Sequence, residues 1–377
     1  MRTIKQVVLI GYLSAATGTA CAQSTVSLYG LIDTSLRYLH NSGGQSTQVS
    51  MVSGGISGSR WGLKGAEELG GGLKAVFQLE NGFNSTNGKL KQGGREFGRQ
   101  AFVGISSSTF GRMTLGRQYD PLSDMIQPLQ SNGYLGGFFS APGDIDNADN
   151  SIRVSNAIKW SSPSWGPVKI TALYGVGGVA GAAASGQTYG AAAAYNSGPF
   201  GLAAGFEHIN NGNARLSSRG TSSADSLFGS SVNAAYATAS SIDIVRAAGN
   251  YVIGSMTLGA YYSFSDYKSD ADSLFVGSEK YHNVSVYGVW QISPALAMQM
   301  GYDYLRAIGE SSARYHQGTA GVGYSLSKRT DLYGIVAYTH ASGQNGAGPA
   351  QAVVGSVNVD AGKSSQVLAT VGLRHRF

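Results

Sequence analysis

The end of the chain, residues 366–377, alternates in side-chain character with a period of two. Val367 and Val371 fall on one face of an extended strand, whereas Gln366 and Arg374 fall on the other. Such alternation indicates a strand with one apolar and one mostly polar face. A strand needs two faces of this kind where one meets lipid and the other meets water.

The same alternation recurs along the chain, most clearly over residues 26–38, 200–207, 256–265 and 296–305. A helix would scatter these apolar positions around its circumference, so the pattern predicts strands. The core of a β-sandwich or a β-solenoid would alternate in a similar way. The pattern therefore predicts an all-β protein and leaves its architecture open.

The connections narrow the choice of architecture. Short turns are predicted near residues 69–72, 106–109, 162–167, 196–199, 254–255, 293–294 and 327–330. Longer polar stretches lie near residues 40–57, 84–94, 119–152, 176–187, 208–241, 266–280, 307–314 and 341–364. Short turns at one end and long loops at the other are typical of bacterial outer-membrane barrels. The sequence thus predicts a transmembrane antiparallel β-barrel of 16 strands, which is wide enough for an aqueous channel.

The N-terminus predicts secretion. Arg2 and Lys5 precede an apolar run too short to cross a bilayer, and residues 20–22 form a small-residue cleavage site. We therefore expect a signal peptide over residues 1–22, cleaved after Ala22, and a single domain over residues 23–377. Cys21 suggests a lipoprotein signal as an alternative, although Gly18 stands where such a signal normally has leucine. The mature chain would contain no cysteine, so disulfides and thiolate metal sites are excluded.

Composition supports a membrane barrel. Charged residues make up 13% of the chain, against about 25% in soluble domains. Without Arg2 and Lys5, 25 basic residues face 21 acidic ones, and so small an excess argues against nucleic acid as a partner. No stretch approaches the ~20 apolar residues of a spanning helix.

Several stretches resemble the general porins of Gram-negative bacteria, specifically the β-proteobacterial branch. They are residues 27–33 (SLYGLID), 59–80 (SRWGLKGAEELGGGLKAVFQLE), 99–104 (RQAFVG), 111–117 (GRMTLGR) and the terminal Phe377. The resemblance implies a sixteen-stranded barrel, usually a homotrimer, whose third loop (about residues 119–152) folds into the lumen. It also implies that Phe377 belongs to the signal read by the barrel-assembly machinery.

The predicted third loop carries an unusual set of charges. It contains five carboxylates and no Lys or Arg; they are Asp120, Asp124, Asp144, Asp146 and Asp149. Carboxylates that crowd together repel one another unless a cationic surface faces them. If Trp61 and Leu63 face lipid, Arg60 and Lys64 face the lumen, because Arg at mid-membrane on the lipid face costs about 2–4 kcal/mol. The resemblance adds Arg99 and Arg153 to this basic wall.

These charges suggest a filter. We hypothesise that loop carboxylates face basic wall residues across a narrow, water-filled gap, since charged rings set ion selectivity. The alternative is an acidic external loop in solvent. Asp144, Asp146 and Asp149 leave open a weakly bound cation, although the spacing of an EF-hand is missing. The six histidines show no metal-ligand pairing at helical spacing.

The sequence therefore predicts an outer-membrane channel for passive diffusion of ions and small hydrophilic solutes, without catalysis, cofactor or metal. Outer-membrane lipid and lipopolysaccharide are the expected surroundings. The positive excess leans toward anions without deciding the selectivity. Three alternatives stay open at this point: an outer-membrane barrel enzyme, a substrate-selective porin and a secreted adhesin or β-solenoid.

Overall fold

The computed structural model describes residues 25–212 and 226–377. Within them it contains one 17-segment antiparallel sheet. The strands are β1 Thr25–Ser42, β2 Gln45–Ser53, β3 Arg60–Gly70, β4 Leu73–Gly82, β5 Gln100–Ser107, β6 Gly111–Gln118, β7 Val154–Ser161, β8 Val168–Gly175, β9 Thr188–Ser197, β10 Phe200–Asn210, β11 Ser241–Ile253, β12 Met256–Lys268, β13 Ser278–Gln291, β14 Leu296–Ile308, β15 Arg314–Ser325, β16 Thr330–Ser342 and β17 Ser365–Arg376. The α-helices are α1 Pro121–Met125 and α2 Asn132–Leu135, and short 3-10 turns span Gln92–Gly94, Gln127–Leu129, Gly137–Phe139, Pro142–Asp144 and Ala234–Tyr236.

The sheet closes on itself through its first and last strands. β1 pairs with β17 in antiparallel register, from Leu31 opposite Arg376 to His40 opposite Val367. Because every backbone donor and acceptor in a closed sheet has a neighbouring strand, the barrel has no open edge to expose to lipid. The prediction of a closed antiparallel barrel is confirmed.

Seventeen segments make sixteen crossings of the wall. β2 pairs with residues 34–42 of β1, and β3 pairs with residues 25–31 on the same edge of that strand. β2 and β3 are therefore the two halves of one crossing, interrupted where residues 54–59 leave the sheet. The predicted count of sixteen strands is confirmed.

The predicted long loop over residues 40–57 is wrong. Two residues, Gly43 and Gly44, turn the chain with φ of 57° and 82°, and β2 begins directly after them. Both φ values are positive, as a tight hairpin turn requires. The many polar residues of β2 suggested a loop, although the segment is a strand. Its exposed outer face includes Val49 and Met51.

The other predicted connections agree with the structure. All seven short turns join neighbouring strands at one end of the barrel, and the longer connections lie at the other end. In bacterial outer-membrane barrels the short turns are periplasmic and the long loops extracellular, and the same orientation is expected here.

The two faces of the wall are inverted relative to a soluble protein. Outward-facing Leu258, Val286 and Val371 are 45%, 51% and 60% exposed. Inward-facing polar side chains such as Ser263 and Gln317 are fully buried. An apolar outer belt around a polar interior is the arrangement that lipid outside and water inside require.

Within residues 25–212 and 226–377, no helix is long and apolar enough to cross a membrane.

Candidate functional site

The connection between β6 and β7, residues 119–153, contacts the inward-facing side chains of the wall. We call it the β6–β7 loop. The Tyr287 hydroxyl donates a hydrogen bond to the Leu129 carbonyl at 2.7 Å, and Gln299 Nε2 donates to the Ser131 carbonyl at 2.6 Å. Gln317 Nε2 donates to the Phe138 carbonyl at 3.0 Å. Side chains of β13, β14 and β15 thus satisfy loop carbonyls that would otherwise be buried without a partner.

Apolar contacts attach the same loop to the wall. Leu122, Ile126 and Ile145 are completely buried in one cluster with small wall residues such as Ala192 and Ala203. Burying an aliphatic side chain of this size contributes about 1.5–3 kcal/mol. The loop is therefore held by a hydrophobic contact as well as by hydrogen bonds.

Glycines on the inner face make room for these loop side chains. A Cβ added to Gly205 would lie 2.5 Å from Leu122 Cδ2, and one on Gly321 would lie 2.8 Å from Leu135 Cδ1. Both distances are shorter than a real Cβ contact, so the leucine side chains would have to move. These wall glycines are explained by the loop that packs over them, because a strand interior otherwise disfavours glycine.

Opposite the attached loop lies an open cavity of about 890 Å³. Five cationic side chains line it, against one carboxylate, that of Asp149, among the described residues. The cations are Arg60, Lys91, Arg99, Arg153 and Arg374. Because low-dielectric walls focus the field of charges in a cleft, this lining makes the cavity electropositive.

Tyr119 contacts two of these cations through its aromatic ring. The guanidinium carbons of Arg99 and Arg153 lie 5.8 and 5.5 Å from the centre of its ring. The Arg99 side chain donates to the Tyr119 hydroxyl at 2.5 Å and forms a 2.7 Å ion pair with Glu80. Cation–π contacts and the ion pair hold two like charges close together at the cavity wall.

Arg153 remains charged in this setting. Burial, followed by the nearby positive charge of Arg99, lowers its pKa to about 10. That value is still far above neutral pH, so the side chain is a cation under ordinary conditions. The described residues offer Arg60, Lys91 and Arg153 no ion pair, whereas Asp331 pairs with Arg374 at 2.9 Å.

A family model described as Gram-negative porin matches residues 8–344. The chain belongs to the Gram-negative porin family. Porins are channels rather than enzymes, and this porin is an outer-membrane protein that forms a passive diffusion channel. The predicted family, location and general function are confirmed.

Two curated relatives agree with this assignment. Outer membrane porin protein 32 of Delftia acidovorans is 29% identical, covering 96% of this chain and 97% of its own. An outer membrane porin protein of Bordetella pertussis is 38% identical over 43% of this chain. That match spans 45% of the Bordetella protein, less than half of its length.

Solved structures share the fold. The anion-selective porin from Comamonas acidovorans superposes with a TM-score of 0.75 at 24% identity, covering 94% of this chain and all of its own. OmpT of Vibrio cholerae, in a trimer form, superposes with a TM-score of 0.65 at 16% identity, covering 94% of this chain and 99% of its own. Trimeric porins are therefore among its structural neighbours.

Four of the five predicted acidic residues of the porin lie away from the cavity. Asp120 caps α1 by accepting from the Ser123 amide at 2.8 Å and pairs with buried Arg246 at 3.4 Å. Asp124 forms a 2.6 Å ion pair with Lys159 of β7. These two carboxylates attach the loop to the wall and do not line the cavity.

Asp144 and Asp146 fold the loop onto itself and onto the wall. Asp144 accepts from the Asp149 amide at 2.8 Å and from the Ser151 hydroxyl at 2.5 Å. Asp146 accepts from the Ala148 amide at 3.2 Å and from the Tyr261 hydroxyl. Burial raises the pKa of both carboxyls, and that of Asp144 is raised well above its usual range.

Asp149 is the predicted acid that does line the cavity. It accepts from the Ser356 hydroxyl at 2.6 Å. Burial raises its pKa, while the charges of Arg153 and Arg99 act in the opposite direction. The predicted arrangement of five acids facing a basic wall is thus reduced to one acid facing several cations.

The predicted bases divide in a similar way. Arg60, Arg99 and Arg153 line the cavity. Lys64 is exposed outside it, with its Nζ 5.1 Å from the centre of the Tyr29 ring. An inward-facing position is therefore not sufficient for a residue to line the cavity. Lys64 lies further along the strand toward the short turns than Arg60 does.

Sequence reasoning missed two cavity cations and one backbone segment. Lys91 donates to the Ser53 carbonyl at 3.1 Å, and Arg374 donates to the Ser57 hydroxyl at 2.7 Å. The segment 54–58 lines the cavity because Asp33 accepts from the amides of Ile56 and Ser57 at 2.9 and 2.8 Å. The polar face of residues 366–377 was the available signal for Arg374.

Phe377 completes the closure of the barrel. Its amide donates to the Gly30 carbonyl at 3.0 Å, and the Gly30 amide donates to the Phe377 carbonyl at 3.1 Å. Its role as an assembly signal stays a prediction. The signal peptide over residues 1–22 lies outside the described residues and also stays a prediction.

No group of three or more side chains suited to a metal ion occurs within residues 25–212 and 226–377. The carboxylates that suggested a cation site, Asp144, Asp146 and Asp149, have protein hydrogen-bond donors instead.

Proposed function

We propose that this porin prefers anions, and that its selectivity arises in the cavity between the β6–β7 loop and the part of the barrel wall that the loop does not cover. The observation that carries the proposal is the lining of that cavity, to which the described residues contribute five cations and one carboxylate. An anion that enters such a cavity is attracted from most directions, whereas a cation finds one favourable group.

The location of the other carboxylates supports the same selectivity. Asp120 and Asp124 are each paired with a wall cation, Arg246 and Lys159 respectively. A carboxylate in a buried ion pair contributes little field to a solute on the far side of the loop. The loop therefore contains more carboxylates than the number that acts on permeating ions.

Asp149 gives the electric field in the cavity a direction, from the cations near the wall toward the loop. It stands on the loop, while Arg99 and Arg153 stand near the wall and interact with it electrostatically. A permeating solute would pass between opposite charges, which orients dipolar molecules and favours anions along the wall. The loop also narrows the lumen, so we propose that it sets the size limit of the channel.

A structural relative supports the anion preference. The solved structure with the TM-score of 0.75 is described as an anion-selective porin. At 24% identity that likeness carries the fold, and the preference of this chain rests on its own cavity residues.

The test is the zero-current potential of the channel in a planar bilayer with a tenfold KCl gradient. We expect the sign that reports chloride as the more permeant ion. A potential of the opposite sign would overturn the proposal. The salt should be kept moderate, because the Debye length falls from about 10 Å at 0.1 M to about 3 Å at 1 M.

A triple variant localises the effect. Arg60→Gln, Lys91→Gln and Arg153→Gln together remove three unpaired cavity cations, so the potential should move toward the cation-selective sign. Lys64→Gln is the matched control, because it removes an inward-facing charge outside the cavity. An equal shift per charge in the control would show that the cavity has no special role.

We also propose that the porin assembles as a homotrimer. A structural neighbour, OmpT, has a trimer form, and the sequence resembles porins that are usually trimers. Light scattering of the detergent complex should give a protein mass of three chains. Conductance in bilayers should then appear and close in three equal steps, and a monomer mass would contradict the assembly.

A further inference from the structure

One short segment of the chain leaves the sheet in the middle of a crossing of the wall. Residues 54–58 separate β2 from β3 and line the cavity, and we call them the inner segment. We propose that the inner segment orients the cavity cations, and that Asp33 and Tyr333 are the positioning residues that hold it in place. The inference rests on the anion preference proposed above, because it concerns the same cavity.

Two cavity arginines form hydrogen bonds with the inner segment itself. Arg60 Nε donates to the Gly58 carbonyl at 2.8 Å. Arg374 Nη1 donates to the Ser57 hydroxyl at 2.7 Å. Both acceptors are neutral, so each hydrogen bond orients a guanidinium group without cancelling its positive charge.

The segment also borders two further cations of the cavity. Lys91 Nζ donates to the carbonyl of Ser53, the residue directly before the segment, at 3.1 Å. Arg99 Nη1 lies at van der Waals distance, 3.4 Å, from the position that a Cβ would take on Gly58. Four of the five cavity cations therefore contact this stretch of backbone or lie next to it.

The carboxylate of Asp33 on β1 holds the inner segment. It accepts from the amides of Ile56 and Ser57 at 2.9 and 2.8 Å, and from the Tyr333 hydroxyl at 2.6 Å. The Asp33 carbonyl accepts from the Gly54 amide at 2.7 Å. Hydrogen bonds to an ionised acceptor are about twice as strong as those between neutral groups. One completely buried residue thus fixes three amides of the segment.

The inner segment also meets the β6–β7 loop. Ile56 is buried in one apolar cluster with Phe138 and Phe139 of that loop, and Tyr333 belongs to the same cluster. A Cβ added to Gly136 would lie 2.5 Å from the Ile56 carbonyl oxygen, so the two backbones approach closely there. The segment therefore connects the loop to the side of the wall that carries Asp33.

Asp33 could instead act as one more charge of the filter, and the two roles predict opposite results when its charge is removed. A filter carboxylate would oppose the cavity cations, so its loss would increase the anion preference. A positioning carboxylate keeps the cations oriented toward the cavity, so its loss would decrease that preference. The second role fits the structure, because Asp33 has three protein donors and does not line the cavity.

The experiment measures the zero-current potential of the full-length porin in the KCl gradient described above. Asp33→Asn removes the charge and leaves one acceptor oxygen in place of two. Tyr333→Phe removes one hydroxyl and no charge. Tyr315→Phe on β15 is the matched control, because the Tyr315 hydroxyl is buried and has no hydrogen-bond partner among the described residues. Heat-modifiable migration on gels verifies folding.

We expect both test variants to shift the potential toward the cation-selective sign, Asp33→Asn by the larger amount, while Tyr315→Phe keeps the wild-type value. A shift of Asp33→Asn in the anion-selective direction would overturn the inference, because Asp33 would then act as a filter charge. If Asp33→Asn does not fold, an unchanged potential for Tyr333→Phe would overturn it, as would an equal shift in the control. The sign measured for wild type tests the anion preference separately, so the failure of one proposal is distinguishable from that of the other.

Discussion

The inner wall of the barrel has two regions that use polar side chains in opposite ways. The covered wall, the inward faces of β9 to β15, gives its donors to the β6–β7 loop, for example through Tyr287, Gln299 and Gln317. The open wall, the inward faces of β1 to β6 and β17 with their flanking residues, presents its cations to the cavity, including Arg60 and Arg374. The loop separates the two.

A charge in the lumen therefore acts on permeating ions only where no partner neutralises it. Arg246 on the covered wall is a cation just as Arg153 near the open wall is, yet Arg246 is completely buried against Asp120. Buried ion pairs hold the loop against the wall, whereas unpaired charges at the cavity act on permeating solutes. Selectivity should therefore respond to the open wall, and stability to the covered wall.

The largest expected effect comes from breaking the buried pair on the covered wall. Arg246→Met leaves Asp120 uncompensated and removes a favourable interaction with buried Glu207. Removing one partner of a buried ion pair costs about 3–5 kcal/mol. Denaturant unfolding should show the loss, and Asp120→Asn in the same chain should recover part of it. Unchanged stability would mean that the pair does not hold the loop.

Adding a methyl group to one of the inner-face glycines that pack against the loop should reduce stability by a smaller amount. Gly205→Ala puts a methyl group within 2.5 Å of Leu122 Cδ2 and 2.7 Å of the Ala191 carbonyl oxygen. Overpacking of this kind costs about 1–3 kcal/mol. Gly318→Ala is the control, because nothing lies within 4 Å of a Cβ there. The thermal midpoint should fall for the first variant alone, and equal midpoints would contradict the packing of the loop.

Removing one hydrogen bond from the covered wall should have a smaller effect. Tyr287→Phe deletes the donor to the Leu129 carbonyl, at a cost of about 0.5–1.5 kcal/mol. Open-channel current noise should increase because the loop is held less firmly, while the zero-current potential should stay the same. A changed potential would show that this wall also contributes to selectivity.

The smallest effect should follow from pH. Burial raises the pKa of Asp149, so this carboxyl takes up its proton before ordinary carboxyls as pH falls from neutral. Neutral Asp149 removes the one carboxylate that the described residues contribute to the cavity lining, and anion preference should rise on acidification. Asp149→Asn should show the acidic value at neutral pH and a flatter dependence. A steep dependence in that variant would assign the titration to another group.

Periodicity predicted most of the fold. Residues 366–377 alternate as expected, with Val367, Val371 and Leu373 exposed and Gln366 buried. Because the two-residue period is local, a single sequence reveals it. The crossing formed by β2 and β3 was harder to see, since its interruption at residues 54–59 is stabilised by Asp33, which is distant along the chain.

The candidate site was only partly predictable. Counting charges identified the acidic loop and the basic residues, and Arg60, Arg99, Arg153 and Asp149 do meet in one cavity. Which carboxylates would be neutralised depended on partners far away in sequence. Arg246 is 126 positions from Asp120, and no local pattern connects them.

The most direct test of selection by unpaired cavity charge compares two single substitutions that each remove one positive charge, Arg153→Gln at the cavity and Lys159→Gln on β7. Lys159 pairs with Asp124, and neither residue lines the cavity, so the carboxylate left by the substitution stays outside it. In a KCl gradient, we expect the zero-current potential to shift toward the cation-selective sign for Arg153→Gln and to stay at the wild-type value for Lys159→Gln. Equal shifts would show that total charge, rather than unpaired charge at the cavity, sets the selectivity.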